Sequence, residues 1–206
     1  MQEKFIQAND FLLRKWRRTA FLRWQAFKTC LSYLANGEEI MKTLVVYYSR
    51  TGNTQFVAET VAQHLGADIE EVVDLKKRFG MSAFMKASLD AMLGRETKIS
   101  ATAKSPELYD LIVVGTPVWF TRPTPAIRTY LKKNSLAGKR VAIFCTNEGN
   151  GGEKAIEKTK ELLPESNPAV DLIIVRLREN KEDAENKISE WCGKLKVPLE
   201  LNTLAR

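Results

Sequence analysis

From Met41 onward, short apolar runs alternate with amphipathic stretches, and this rhythm constrains the fold more than any other feature of the chain. Thr43 to Tyr48 reads as a strand. Thr54 to Leu65 reads as a helix with Phe56, Val57, Thr60, Val61 and Leu65 on one face. Asp68 to Val73 is a more polar strand, suited to a sheet edge, and Ser82 to Leu93 is a helix inside a long basic connection that carries Lys76, Lys77, Arg78, Lys86 and Arg95. Leu111 to Gly115 ("LIVVG") is wholly apolar, the mark of a strand buried on both faces. Pro123 to Lys133 follows as a helix, with Thr124 placed to cap it and Pro125 in its first turn. Arg140 to Thr146, Glu153 to Leu163, Asp171 to Val175 and Glu182 to Leu195 continue as strand, helix, strand and helix. Such alternation predicts an α/β chain: an open parallel sheet with helices on both faces.

Composition narrows the function classes. No apolar run approaches the length a membrane-spanning helix needs. Cys30, Cys145 and Cys192 are widely spaced and odd in number, which argues against a disulfide framework and for a cytoplasmic setting. With His64 as the single histidine, a histidine-based metal site is not expected. The net charge of +7 divides into +3 for residues 1–40 (7 basic, 4 acidic) and +4 for residues 41–206 (25 basic, 21 acidic). Charges of both signs are interspersed and no dense basic stripe stands out, so nucleic acid is not an expected partner.

Residues 1–40 stand outside the alternation. Phe5, Phe11, Trp16, Phe21, Trp24, Phe27 and Tyr33 interleave with Arg14, Lys15, Arg17, Arg18, Arg23 and Lys28, the pattern of a basic amphipathic helix able to meet a membrane or a partner. Another reading puts the first residue of the native protein at Met41, because "NGEEIMK" back-translates to a purine-rich run placed like a ribosome-binding site before a start codon. The division expected is therefore an extension over 1–40 and one domain over 41–206. Contact with a membrane is expected only if that extension is a real helix.

Ligands of open α/β sheets bind beyond the carboxyl ends of the strands, and three connections leaving those ends are unusual in composition. Ser49, Arg50, Thr51, Gly52, Asn53 and Thr54 join the first strand to the first helix. A helix amino end offers unpaired N–H donors, Gly52 permits close backbone approach, and the small polar side chains add hydrogen bonds, which together suit a terminal phosphate. A simple helix cap at Thr54 or Ser49 is the plainer alternative. The segment has neither the glycine–lysine pair of a nucleotide triphosphate loop nor a GxGxxG fingerprint. The second connection, Thr116, Pro117, Val118, Trp119, Phe120, Thr121 and Arg122, has two adjacent aromatics that either cover a planar ligand or another chain, or pack Trp119 down onto a helix. The third, Asn147, Glu148, Gly149, Asn150, Gly151 and Gly152, is a glycine-rich turn, either flexible or shaped for close approach to a ligand edge. Arg50 and Arg122 flank these loops; Cys145 reads as a core residue and His64 as a helix-boundary residue.

Together, "YYSRTGNT", "DLIVVGTPVWFTRPTPAIRTYL" and "KRVAIFCTNEGNGGEKA" closely resemble the flavodoxin family, over Met41 to about Leu195. The resemblance implies a flavodoxin-like three-layer fold with a five-stranded parallel sheet in the order 2-1-3-4-5, and FMN as cofactor. It places the phosphate on Ser49, Thr51, Gly52, Asn53 and Thr54, with Arg50 counted among the cofactor-binding residues of the same loop. Thr116, Pro117, Val118, Trp119 and Phe120 would then border the flavin, with Trp119 the stacking residue, and Asn147, Glu148, Gly149, Asn150, Gly151 and Gly152 would line its pyrimidine edge. The third loop has no aromatic residue and the domain is not acidic, both departures from many electron-carrying members. The expected function is flavodoxin-type electron transfer with a redox protein or a small-molecule acceptor. The alternatives are an NAD(P)H-dependent quinone or flavin reductase on the same scaffold, or a flavin-free interaction module.

Overall fold

The apolar runs pair as their alternation requires. In this computed structural model, which describes residues 41–76 and 81–196, six strands form one sheet: β1 (Thr43–Tyr47), β2 (Asp68–Glu71), β3 (Leu111–Pro117), β4 (Arg140–Asn147), β5 (Asn167–Pro168) and β6 (Leu172–Val175). Every pairing is parallel, and the order is β2-β1-β3-β4-β5, with β6 also on β4. Parallel strands need crossovers, which the helices supply: α1 (Asn53–Leu65), α2 (Met81–Met92), α3 (Pro125–Lys133), α4 (Gly152–Lys160) and α5 (Lys181–Lys196). The readings of residues 1–40, and of Lys77 and Arg78, fall outside the described residues.

Both faces of the sheet are covered. Leu44, Val46, Ile112, Val114, Ile143 and Cys145 share one buried cluster with Ala87 and Ala91 of α2, Ala126, Ile127 and Tyr130 of α3, and Ile156 of α4. Alternate strand positions, among them Val45, Val113 and Phe144, turn to the other face by the two-residue pleat and are equally buried. There α1 packs on α5, and the Phe144 ring meets Trp191 edge-on with centroids 6.4 Å apart. Burial on two faces explains why β3 opens on an unbroken apolar run, Leu111 to Gly115, while the edge strand β2 is polar and partly exposed. Each large side chain so buried contributes about 1.5–3 kcal/mol. Among the described residues no helix is long and apolar enough to cross a membrane.

Three details depart from the sequence reading. The fifth strand position is shared, with β5 on Arg140 and Val141 and β6 on Phe144 to Asn147. Between the two, the Val170 carbonyl accepts a bond from Trp191 Nε1 at 2.8 Å, which takes it out of the ladder. On α1 the buried positions are Thr54, Val57, Ala58 and Val61, whereas Phe56 is half-buried with the Lys181 ammonium 4.4 Å from its ring centroid. Thr124 precedes α3 but forms no side-chain cap. It is fully buried, and its own N–H donates to Thr116 Oγ1 at 3.1 Å.

Candidate functional site

The strand order puts the carboxyl ends of β1, β3 and β4 side by side, so the loops that leave them are neighbours. The first loop ends at the amino terminus of α1. Gly52 takes φ +87, a backbone region costly for any residue with a Cβ, and its N–H donates to Ser49 Oγ at 3.2 Å. The first bond inside the helix runs from Phe56 N–H to the Gly52 carbonyl at 2.9 Å. No side chain caps this helix, and its first turn holds no acidic residue. The N–H groups of Asn53, Thr54 and Gln55 are thus donors at the positive end of a helix dipole. Arg50 and Thr51 are exposed beside them. The Thr54 hydroxyl faces inward instead, where it is buried and shares a 2.8 Å bond with Thr146 Oγ1, locking the start of α1 to β4.

The second loop closes on itself tightly. Trp119 N–H donates to the Arg122 carbonyl at 3.0 Å, and Arg122 N–H donates to the Trp119 carbonyl at 3.1 Å. The two residues between them, Phe120 and Thr121, have φ +47 and +57. Positive φ at both central positions is the type I′ pattern, which Asn-Gly normally fills. Non-glycine residues there cost on the order of 1–3 kcal/mol each, and such strain concentrates at functional sites. The turn separates the two aromatics. Trp119, only 6% exposed, packs into the core with its ring edge-on to Tyr48 at 5.8 Å, and Phe120 is 55% exposed. Of the two arrangements open to Trp119 in the sequence, the inward one is adopted, and Phe120 carries the presented ring. Thr116 is fully buried and Pro117 and Val118 are half-buried; the Val118 N–H bonds the Thr146 carbonyl at 3.0 Å.

The third loop touches both others. A Cβ on Gly151, whose φ is +94, would lie 2.7 Å from Thr121 Cγ2, so only glycine lets the third loop close on the second. Glu148 Oε1 accepts a bond from Asn53 Nδ2 at 3.0 Å, which ties it to the first. Glu148, Gly149 and Asn150 are exposed, while Gly152 is buried as the first residue of α4. Asn147 donates through Nδ2 to the Gly149 carbonyl at 2.9 Å, but its Oδ1 is buried with no hydrogen-bond partner. An unpaired buried acceptor is costly, so its presence at the head of this loop fits a ligand that carries an N–H.

A fourth loop, missed in the sequence, joins the group. Arg176 has φ +50, its N–H bonds the Asn147 carbonyl at 2.9 Å, and its Nε reaches the Glu148 carbonyl at 3.4 Å. Arg178 Nε donates to Asn53 Oδ1 at 3.3 Å. The signal available in the sequence was position alone: "VRLREN" leaves the carboxyl end of a strand. Cys145 sits under the site with its thiol pushed up to about 12 by burial and then by the charge of Asp171, so it stays protonated and takes no part as a nucleophile. Among the described residues no group of histidine, cysteine and carboxylate side chains is arranged to hold a metal.

Comparison with known proteins agrees with this architecture. A flavoprotein from Lactobacillus acidophilus, solved in complex with FMN, is 24% identical with a TM-score of 0.59, covering 73% of this chain and 98% of its own. A Bacteroides eggerthii protein with a provisional flavoprotein assignment is 24% identical with a TM-score of 0.62, covering 77% and 99%. Oxidised flavodoxin 2 from Bacillus cereus is 21% identical with a TM-score of 0.50, covering 74% and 96%. At these identities the likeness establishes the fold. The family profile for flavodoxin matches residues 42–195, which takes in the whole sheet and all four loops, and the chain belongs to the flavodoxin family.

Proposed function

We propose that the chain binds FMN across these loops and serves as a flavodoxin-type electron-transfer protein. The observation that carries the reading is an uncapped helix amino end facing the same loop cluster as an exposed, strained Phe120 and an unpaired Asn147 Oδ1. The donor set suits the cofactor. The N–H groups of Asn53, Thr54 and Gln55, with the side chains of Ser49, Arg50, Thr51 and Asn53 around Gly52, match a phosphate. Thr116 to Phe120 border the planar ring, Phe120 by contact and Trp119 by bracing the turn from below. Asn147 to Gly152 take the polar pyrimidine edge, where Asn147 Oδ1 needs a donor. The FMN complex of the Lactobacillus acidophilus relative supports the choice of cofactor.

FMN, when bound, supplies the electron chemistry, and the protein holds it, shields it and sets its surroundings. The exposed Phe120 edge is where a redox protein or a small-molecule acceptor would approach. One feature favours the reductase alternative: residues 147–152 include no aromatic side chain, which leaves one ring face open to a substrate. Anaerobic addition of NADPH to the FMN-loaded protein separates the two. The carrier reading expects the yellow colour to persist until a reduced protein or chemical reductant is supplied. Rapid bleaching by NADPH alone would establish the reductase.

A further inference from the structure

The loop after β6 brings cations to a place where they are electrostatically unfavourable. The amino end of α1 is already the positive pole of its dipole, and its first turn carries no acid. Even so, Arg178 sits against the first residue of that helix through its 3.3 Å bond to Asn53 Oδ1. Lys181 lies over Phe56 in the same turn, its nitrogen 4.4 Å from the ring centroid. Neither Arg178 nor Lys181 forms an ion pair among the described residues. The placement is held rather than incidental. Arg176 adopts a left-handed φ of +50, its N–H is bonded to the Asn147 carbonyl, and Leu177 is buried at 6% exposure, so the chain folds back over the third loop and carries Arg178 across to α1. Two carboxylates lie nearby: Glu148 accepts a bond from Asn53 Nδ2 at 3.0 Å, and Glu179 pairs with Arg176 Nη1 at 4.0 Å, while Arg176 Nε holds the Glu148 backbone carbonyl at 3.4 Å.

A left-handed residue thus helps hold an exposed guanidinium at a positive helix end, an arrangement that an anion bound there would stabilise. We infer that Arg178 is a further cofactor-binding residue, and that its charge meets the phosphate of FMN directly while its bond to Asn53 fixes the orientation of that side chain. The inference rests on the FMN reading above and adds a specific consequence: Arg178 discriminates phosphorylated flavin from its unphosphorylated form. A guanidinium is well suited to the task because its fork of donors stays charged at any working pH and matches phosphate geometry. The loop after β6 thereby becomes part of the cofactor site, beside the three loops the sequence singled out.

Flavin pairs that differ only in the phosphate give the test. The full chain, stripped of flavin, is titrated with FMN and separately with riboflavin, followed by flavin fluorescence, for wild type, Arg178→Ala and Arg178→Lys. The expected outcome is a loss of about tenfold or more in FMN affinity for Arg178→Ala, the size of a charge-assisted hydrogen bond, with riboflavin affinity changed less than about twofold. Arg178→Lys should recover part of the FMN affinity. Raising the salt concentration should weaken FMN binding in wild type more than in Arg178→Ala. FMN affinity unchanged in Arg178→Ala, or FMN and riboflavin affinities falling together, would overturn the assignment while leaving the FMN reading intact. Failure of wild type to bind either flavin would overturn both. Because Arg178 is exposed, equal thermal midpoints are expected for the three proteins.

Discussion

At residue scale, the site turns on which of two neighbouring aromatics faces outward. By composition Trp119 and Phe120 are alike, both large and both following a buried strand; the family resemblance pointed to Trp119 as the stacking ring, whereas the structure turns Trp119 down and Phe120 out. The answer lies in the two-residue turn, whose positive φ at Phe120 and Thr121 violates the residue preferences that make such turns legible. The two side chains therefore have separable effects. Trp119→Ala, which removes a core ring packed on Tyr48, is expected to cost about 3–5 kcal/mol of stability, read as a lower urea midpoint. Phe120→Ala should leave that midpoint nearly unchanged and weaken FMN binding by about 0.5–1.5 kcal/mol, the worth of an aromatic contact. The reverse pattern would show that the indole, not the phenyl ring, meets the flavin. The hydroxyl-rich first loop was legible because a helix amino end has a fixed chemical demand; Arg176 and Arg178 were not, because their relevance arises only when the chain folds back.

At the scale of elements, a buried pair of hydroxyls, Thr54 Oγ1 and Thr146 Oγ1, joins α1 to β4. Removing one partner leaves the other buried without a bond. Thr146→Val is expected to destabilise by about 1–3 kcal/mol, and Thr54→Val by a similar amount. The double substitution should cost distinctly less than the sum, because two apolar groups of the same shape then face each other. A denaturant-based double-mutant cycle reads this directly; strict additivity would mean the pair is not coupled. The strands and helices themselves were legible from periodicity, and the misplacements trace to tertiary demands that periodicity does not encode. The Trp191 indole N–H diverts the Val170 carbonyl and splits the fifth strand position, and burial of Thr124 removes it from capping.

At the scale of the whole molecule, the layered fold was readable because double burial leaves unbroken apolar strands such as β3, and alternation of element type forces parallel pairing. The same double burial sets an alkaline limit. Burial pushes the Cys145 thiol from its ordinary 9.0 to about 12 and Cys192 from 9.0 to about 11. Tyr47 is pushed from 10.0 to about 12 by burial, then by the charges of Glu71 and Glu59. In each case the folded state keeps a proton that the unfolded chain releases, so their contribution is complete below about pH 9 and is lost as pH rises toward 12. Urea midpoints should fall steadily above about pH 9, and both cysteines should resist thiol reagents near neutral pH until the protein unfolds. A flat midpoint through that window would contradict the burial of these three groups.

The most direct measurement is a fluorescence titration of the flavin-free full chain with FMN. The account expects saturable quenching of flavin emission at a single site per chain, and a yellow protein that keeps its flavin through gel filtration. A chain that stays colourless, with flavin emission unchanged at any FMN concentration, would contradict it.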